Sequence, residues 1–166
     1  MARALNAMTA IETAHEPSVR PAQILLVEDN DADVFLFKET LNGLRLANNL
    51  SIASDGEQAL SMLRREGIYT DQARPDLILL DLNLPRVDGR EVLGAVKHDP
   101  TLSDIPVIVL TGSRALRDIE ESNGLMADGY ILKPIASDIL RKLVASIESP
   151  GPAMAIPPDA EDAHGG

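Results

Sequence analysis

Five short, β-rich apolar runs alternate along this chain with amphipathic stretches of helical length, and that alternation leaves few folds open. The runs are Ile24 to Val27, Leu50 to Ala53, Leu77 to Leu80, Val107 to Leu110 and Gly129 to Leu132. Strand-sized and alternating with helical stretches, they give the pattern of a parallel sheet covered by helices on both faces. The stretches between and after them, roughly Ala32 to Asn42, Gly56 to Arg65, Gly89 to Lys97, Arg114 to Ser122 and Ser137 to Ile147, supply the covering layers. In the last of these, Leu140, Leu143, Val144 and Ile147 fall at i, i+3, i+4 and i+7 and form a core stripe, with Ile139 off its edge. Punctuation agrees with the alternation. Gly43 and Gly67 stand where helix C-terminal caps belong, Ser137 stands where the last helix needs an N-cap, and Pro100 closes the third helix. Pro75 and Pro106 precede strands, where a missing N–H costs least, and Gly67 to Pro75 reads as a surface loop.

With 166 residues and 45% hydrophobic content, the chain can bury one core but not two. We expect a mobile arm over 1–21, a single domain over 22–149 and a disordered Pro/Gly/Ala-rich tail over 150–166. The formal net charge of −11 argues against nucleic acid as a partner and against docking on an anionic membrane. There is no cysteine, which excludes disulfides, thiolate metal sites and a cysteine nucleophile. His15, His98 and His164 lie too far apart in sequence to suggest a histidine-built cluster, and His98 reads as a cation at the end of the third helix. The first residues lack the apolar run of a secretory signal, and the longest apolar runs fall far below the ~20 residues of a membrane span. A soluble, cytoplasmic protein is expected.

In an open α/β sheet the functional crevice lies at the carboxyl ends of the strands. Here the residues at those ends carry chemistry: Glu28 and Asp29 after the first strand, Asp81 after the third, Thr111 after the fourth, Lys133 and Pro134 after the fifth. Two carboxylates about 4 Å apart repel by about 4 kcal/mol at an effective dielectric of about 20, so a gathered trio requires a cation or raised pKa values. A divalent ion answers that need, and Mg2+ suits it because it accepts one or two carboxylates while keeping places for water and phosphate oxygens. Lys133 adds a positive charge for Asp81 or for a transferred phosphoryl group, and Thr111 adds a hydroxyl.

These residues, read with their neighbours, resemble the receiver domain of two-component response regulators. The resemblance covers roughly Gln23 to Glu148. It is carried by Leu26-Val27-Glu28-Asp29-Asn30, by Leu80-Asp81-Leu82-Asn83-Leu84-Pro85 running on to Asp88-Gly89, by Leu110-Thr111-Gly112-Ser113, and by Tyr130-Ile131-Leu132-Lys133-Pro134. It implies a flavodoxin-like, doubly wound sheet of five parallel strands in the order 2-1-3-4-5. It also implies that Asp81 is the phosphoacceptor and that Glu28, Asp29, Asp81 and the backbone carbonyl of Asn83 hold Mg2+. Thr111, Lys133 and Tyr130 are then the phosphoryl-binding and switch residues, Lys133-Pro134 is a cis peptide, and Asn83 and Ser113 modulate dephosphorylation. The implied partner is a sensor histidine kinase. The Gly67 to Pro75 link, the Lys97-His98-Asp99-Pro100 turn and the short C-terminal extension resemble the small regulators associated with phytochrome-type kinases. No fused effector domain is expected, so output should pass by protein contact, including a homodimer through the fourth helix, fifth strand and fifth helix with Ile135 and Ile139 on its face.

Other readings of the same residues are weaker. Asp29, Asp31 and Asp33 imitate the first ligands of a calcium loop, yet Val34 and Thr40 stand where its glycine and final glutamate belong. Asp31 and Asp33 read instead as first-turn acids that stabilise a helix dipole. An aspartyl-phosphate phosphatase of the haloacid dehalogenase type is the rival enzyme, but it needs a second acid two residues after the acceptor, where this chain has Asn83. A flavodoxin would place a Ser/Thr/Gly phosphate loop where Glu28 and Asp29 stand.

Overall fold

The computed structural model describes residues 20–148 apart from 123 and 125. The expected arm, except its last two residues, and the expected tail lie outside the described residues, as do His15 and His164. The elements run β1 (Ala22–Val27), α1 (Asp31–Gly43), β2 (Asn48–Ala53), α2 (Gly56–Arg64), a 3-10 turn (Gly67–Tyr69), β3 (Leu77–Asp81), α3 (Gly89–His98), β4 (Val107–Thr111), α4 (Arg114–Ser122), β5 (Gly129–Leu132) and α5 (Ser137–Glu148). All strand pairs are parallel, and the sheet has the expected order β2-β1-β3-β4-β5.

Alternate residues of each strand point to opposite faces, and two apolar layers result. On one face Leu25, Val27, Ile78, Leu80, Val107 and Val109 pack against Met62 and Leu63 of α2 and Val92, Leu93 and Val96 of α3. On the other, Ile24, Leu26, Leu77, Leu79, Ile108 and Leu110 pack against Phe37 and Leu41 of α1 and Leu140, Leu143 and Val144 of α5. Each fully buried aliphatic side chain contributes about 1.5–3 kcal/mol relative to exposure, so these layers dominate the favourable side of folding. No helix among the described residues is long and apolar enough to cross a membrane.

Several local expectations are corrected. Asp81 and Thr111 are the last residues of β3 and β4 rather than the first beyond them, because the ladder continues far enough to set Asp81 opposite Leu110 and Thr111 opposite Leu132. Gly43 is the final residue of α1, and the left-handed position falls on Arg45, with φ 54°. α2 likewise stops at Arg64 with Arg65 in the left-handed region, so Gly67 begins the 3-10 turn instead of capping a helix. Ser137 is inside α5: the Leu140 N–H bonds to the Ala136 carbonyl, which moves the cap position to Ala136.

Two glycines fix the loop that follows β3. A Cβ on Gly89 would stand 2.5 Å from the Asp81 carbonyl oxygen and 2.5 Å from Leu82 Cα, and a Cβ on Gly56 would stand 2.1 Å from the Val87 carbonyl oxygen. Backbone cannot retreat cheaply there, so α2 and α3 clamp residues 82–88 from either end. Gly94, by contrast, has open space around its missing Cβ in the middle of α3. We expect Gly89→Ala to destabilise the domain by about 1–3 kcal/mol through overpacking. Gly94→Ala should stabilise it by up to about 1 kcal/mol through helix propensity. Urea unfolding of both variants checks the contrast.

Candidate functional site

Parallel topology brings the tips of β1, β3, β4 and β5 to one edge of the sheet, and the chemistry foreseen for those positions meets there. Glu28 continues directly from β1, with its N–H donating to the Ala53 carbonyl at 3.0 Å, and is only 2% exposed. Asp29 follows at the surface, while Asp81 is buried at the end of β3. One oxygen from each of Glu28, Asp29 and Asp81 lies within 4.8 Å of the others.

Lys133 enters from β5, where its N–H bonds to the Thr111 carbonyl at 2.8 Å. Its Nζ lies 2.7 Å from Glu28 Oε2, 2.7 Å from Asp81 Oδ2 and 3.1 Å from Asp33 Oδ2. An ammonium carries three protons, and each has a carboxylate acceptor. The remaining oxygens are also held: Glu28 Oε1 accepts the Asn30 N–H at 3.1 Å, and Asp81 Oδ1 accepts the Asn83 N–H at 2.9 Å. The Lys133-Pro134 peptide is cis.

Formally, one ammonium faces more than one carboxylate here, and burial adds to the cost of their charge. Burial pushes the Glu28 carboxyl up to about 7, with the Asp81 charge acting in the same direction and hydrogen bonds from Lys133 and Asn30 opposing. For Lys133, burial works against the charge, but hydrogen bonds to Asp81, Glu28 and Asp33 outweigh it and hold the ammonium above the usual lysine range. Residual negative charge on hard oxygen donors is what a divalent ion requires, so Glu28, Asp29 and Asp81 fit one by number, type and spacing.

Thr111 is buried beside this cluster, but its hydroxyl is engaged with its own loop, donating to the Ser113 carbonyl at 3.1 Å and accepting the Ser113 N–H at 3.4 Å. Ser113 Oγ accepts the Leu116 N–H at 3.1 Å and so caps α4. A cleft between the β3–α3 loop and α4 is lined by Asp81, Asn83, Arg90, Thr111 and Leu116. Tyr130 lies inward, buried in the apolar layer that faces α2 and α3.

One expectation is overturned. Ile135 and Ile139, placed on a dimer face from sequence, are 9% and 4% exposed and belong to the layer that includes Phe37 and Leu140. The apolar stripe of α5 is broader than the heptad positions alone suggest, because α1 packs along its side as well as the sheet beneath it. Exposed large apolar residues among the described ones include Leu116 and Ile119 on α4. Asp33 sits in the first turn of α1, where the helix-dipole reading puts it, and it also bonds to Lys133, a contact that the sequence reading does not include. His98 stays at the end of α3, its Nδ1 2.7 Å from the Gly94 carbonyl oxygen.

Fold and site together define a doubly wound α/β protein with a buried acid at the centre of its functional edge, flanked by a metal-competent carboxylate pair and a lysine. The chain belongs to the response regulator receiver domain family, whose match extends over residues 24–145. It is similar to response regulator Rcp1 of Synechocystis sp., with 45% identity over 129 residues, 78% of this chain and 88% of that protein. An Mn2+-bound form of Rcp1 superposes with a TM-score of 0.64 at 43% identity, covering 82% of this chain and 99% of that one. The phosphorylated cyanobacterial phytochrome response regulator RcpA gives a TM-score of 0.65 at 46% identity, covering 78% and 92%. The bacteriophytochrome response regulator AtBRR gives 0.71 at 37% identity, covering 82% and 98%. The rival phosphatase reading finds no support in these likenesses.

A pH dependence follows from Glu28. Its folded pKa of about 7 stands above the ordinary 4.5, so the folded chain keeps a proton that the unfolded chain releases. Stability from this group is whole below the lower value, falls as pH rises through the higher one and is level above it. With a chelator present, Glu28→Gln, which cannot ionise, should gain on the wild type by about 1–3 kcal/mol between pH of about 5 and about 8. Denaturant titrations at both pH values measure this, and an unchanged difference would rule Glu28 out as the source.

Proposed function

We propose that this protein is a phosphorylation switch: Asp81 accepts a phosphoryl group from a phosphohistidine of a sensor kinase, and the surface near α4, β5 and α5 reports its arrival. The observation that carries this is the bridge of Lys133 Nζ between Asp81 and Glu28 at the edge where a divalent ion fits. In the transfer, an oxygen of Asp81 forms a bond to phosphorus as the phosphorus–nitrogen bond breaks in line, and the electron pair returns to the imidazole. Asn83 N–H and Lys133 hold the two carboxylate oxygens and so fix the direction of attack. Lys133 also neutralises an equatorial phosphoryl oxygen. Glu28, Asp29, Asp81 and the backbone carbonyl of Asn83 would hold Mg2+, which when bound supplies further neutralisation of phosphoryl charge.

The product is an acyl phosphate that water hydrolyses, with Asn83 and Ser113 flanking the approach and setting its lifetime. Signalling works by population shift, since the phosphoryl group biases the switch only by what it gains in one arrangement over the other. Thr111 must leave two bonds within its loop, each worth about 0.5–1.5 kcal/mol net, for a hydrogen bond to a charged group worth about 1.5–3 kcal/mol. Those magnitudes allow a switch that moves on phosphorylation. Tyr130, beside Val109 in the buried layer, is the aromatic partner of this switch.

Likeness to RcpA and AtBRR supports a phytochrome-type kinase as the phosphodonor, and the lack of a second acid at Asn83 supports a switch without ester turnover. We place the protein in the cytoplasm with its kinase, and its output in protein contact. That contact includes pairing of two copies through α4, β5 and α5, with Leu116 and Ile119 as the apolar residues in place of Ile135 and Ile139.

Incubation with acetyl phosphate and Mg2+ should add the mass of one phosphoryl group to the wild type and none to Asp81→Asn, read by intact mass spectrometry. Equal addition to both would remove Asp81 from this role. Light scattering with and without the same phosphodonor should show a dimer that Leu116→Asp weakens at least several-fold; a monomer at all concentrations would sink the pairing.

A further inference from the structure

Among the described residues, three carboxylates hold the Lys133 ammonium, and they are not equivalent. Glu28 and Asp81 also belong to the trio whose oxygens converge within 4.8 Å, so a divalent ion competes with the ammonium for both. On the reading proposed above, an oxygen of Asp81 also becomes the bridging oxygen of the acyl phosphate. Asp33 is outside that trio. It reaches Lys133 from the first turn of α1, with Oδ2 3.1 Å from Nζ, and its carboxylate is 35% exposed where Glu28 is 2%.

The position of Asp33 is well fixed. Asn30 caps α1 by accepting the Asp33 N–H at 3.1 Å, and the neighbouring Asn30 N–H is tied to Glu28 Oε1 at 3.1 Å. The start of α1 and the end of β1 thus form one hydrogen-bonded unit that sets Asp33 beside the lysine. The helix N-terminus contributes a favourable field for a carboxylate there, and this explains why the acid is tolerated but not why it points at Lys133.

We propose that Asp33 is a positioning residue for phosphoryl transfer, the one carboxylate that keeps hold of the Lys133 ammonium when metal and phosphoryl group draw Glu28 and Asp81 away. This rests on the reading of Asp81 as phosphoacceptor. Lysine is a flexible chain with several rotamers, and a single lasting anchor confines its head to the region of the transferring phosphoryl group. Asp33 touches neither phosphorus nor the nucleophile and acts through Lys133 alone.

The test uses the full chain and acetyl phosphate at Mg2+ concentrations saturating for each variant, so that metal occupancy is not the variable. Phosphorylation rate is followed by intact mass in wild type, Asp33→Asn, Asp33→Glu, Lys133→Ala and the double variant Asp33→Asn/Lys133→Ala. We expect Asp33→Asn to slow the reaction by roughly 3- to 10-fold, with Asp33→Glu recovering at least half the rate on a logarithmic scale. In the Lys133→Ala background the Asp33 change should have no further effect, since residues acting through one contact are not additive. Thermal melting of each variant in chelator reports on folding separately. An unchanged rate in Asp33→Asn, or an equal loss with and without Lys133, would overturn the assignment. Failure of the wild type to take up a phosphoryl group would instead defeat the reading of Asp81.

Discussion

The functional edge is arranged around one part-buried ammonium. Lys133 Nζ donates to Glu28, Asp81 and Asp33, and removing that charge would leave these carboxylates without their shared cation. Burying a lone ion costs several kcal/mol, and burying carboxylates together without a cation costs more, so the lysine and the acids are stable only as a set. The set still carries excess negative charge. That excess is what prepares the site for a divalent ion and, through it, for a phosphoryl group, so the property that makes the site costly to fold is the same one that makes it useful.

The rest of the fold serves to hold those groups at fixed distance while leaving the edge open. Parallel strands deliver Glu28, Asp81, Thr111 and Lys133 to the same side without any long-range adjustment. The helices that follow start from short polar caps at that edge: Asn30 before α1, Asp55 before α2 and Asp88 before α3 each accept a backbone N–H of the first turn. Gly56 and Gly89 let α2 and α3 close against the loop beyond Asp81 with no room for a side chain. Beyond β4 the Thr111 hydroxyl bonds to Ser113 of the following loop, and Leu116 and Ile119 on α4 are exposed.

Much of this was legible in the residues. Strand positions could be read because a doubly covered parallel sheet makes each strand an unbroken apolar run, and Leu77 to Leu80 or Val107 to Leu110 admit little else. Glu28, Asp29, Asp81, Thr111 and Lys133 could be read because each directly ends such a run, and topology alone then gathers them. Helix ends were less legible. A left-handed residue terminates α2, and a glycine two places later drew the reading to Gly67, yet Arg65 takes that conformation. Propensity is a weak prior, and the surrounding packing decided the matter.

The sequence by itself determined the order of elements, the sheet and the identity of the groups at its functional edge, because those depend on local periodicity and on which residue follows each strand. Only the tertiary structure decided how helices rotate about their axes against neighbours. That rotation buried Ile139 in the layer that α1 and α5 share, and it made Asp33 a partner of Lys133 a hundred residues away. No local pattern carries such information, since a helix shows the same sequence period whichever neighbour it meets, and the angle is set by the fit of two apolar surfaces that meet only once the chain has folded.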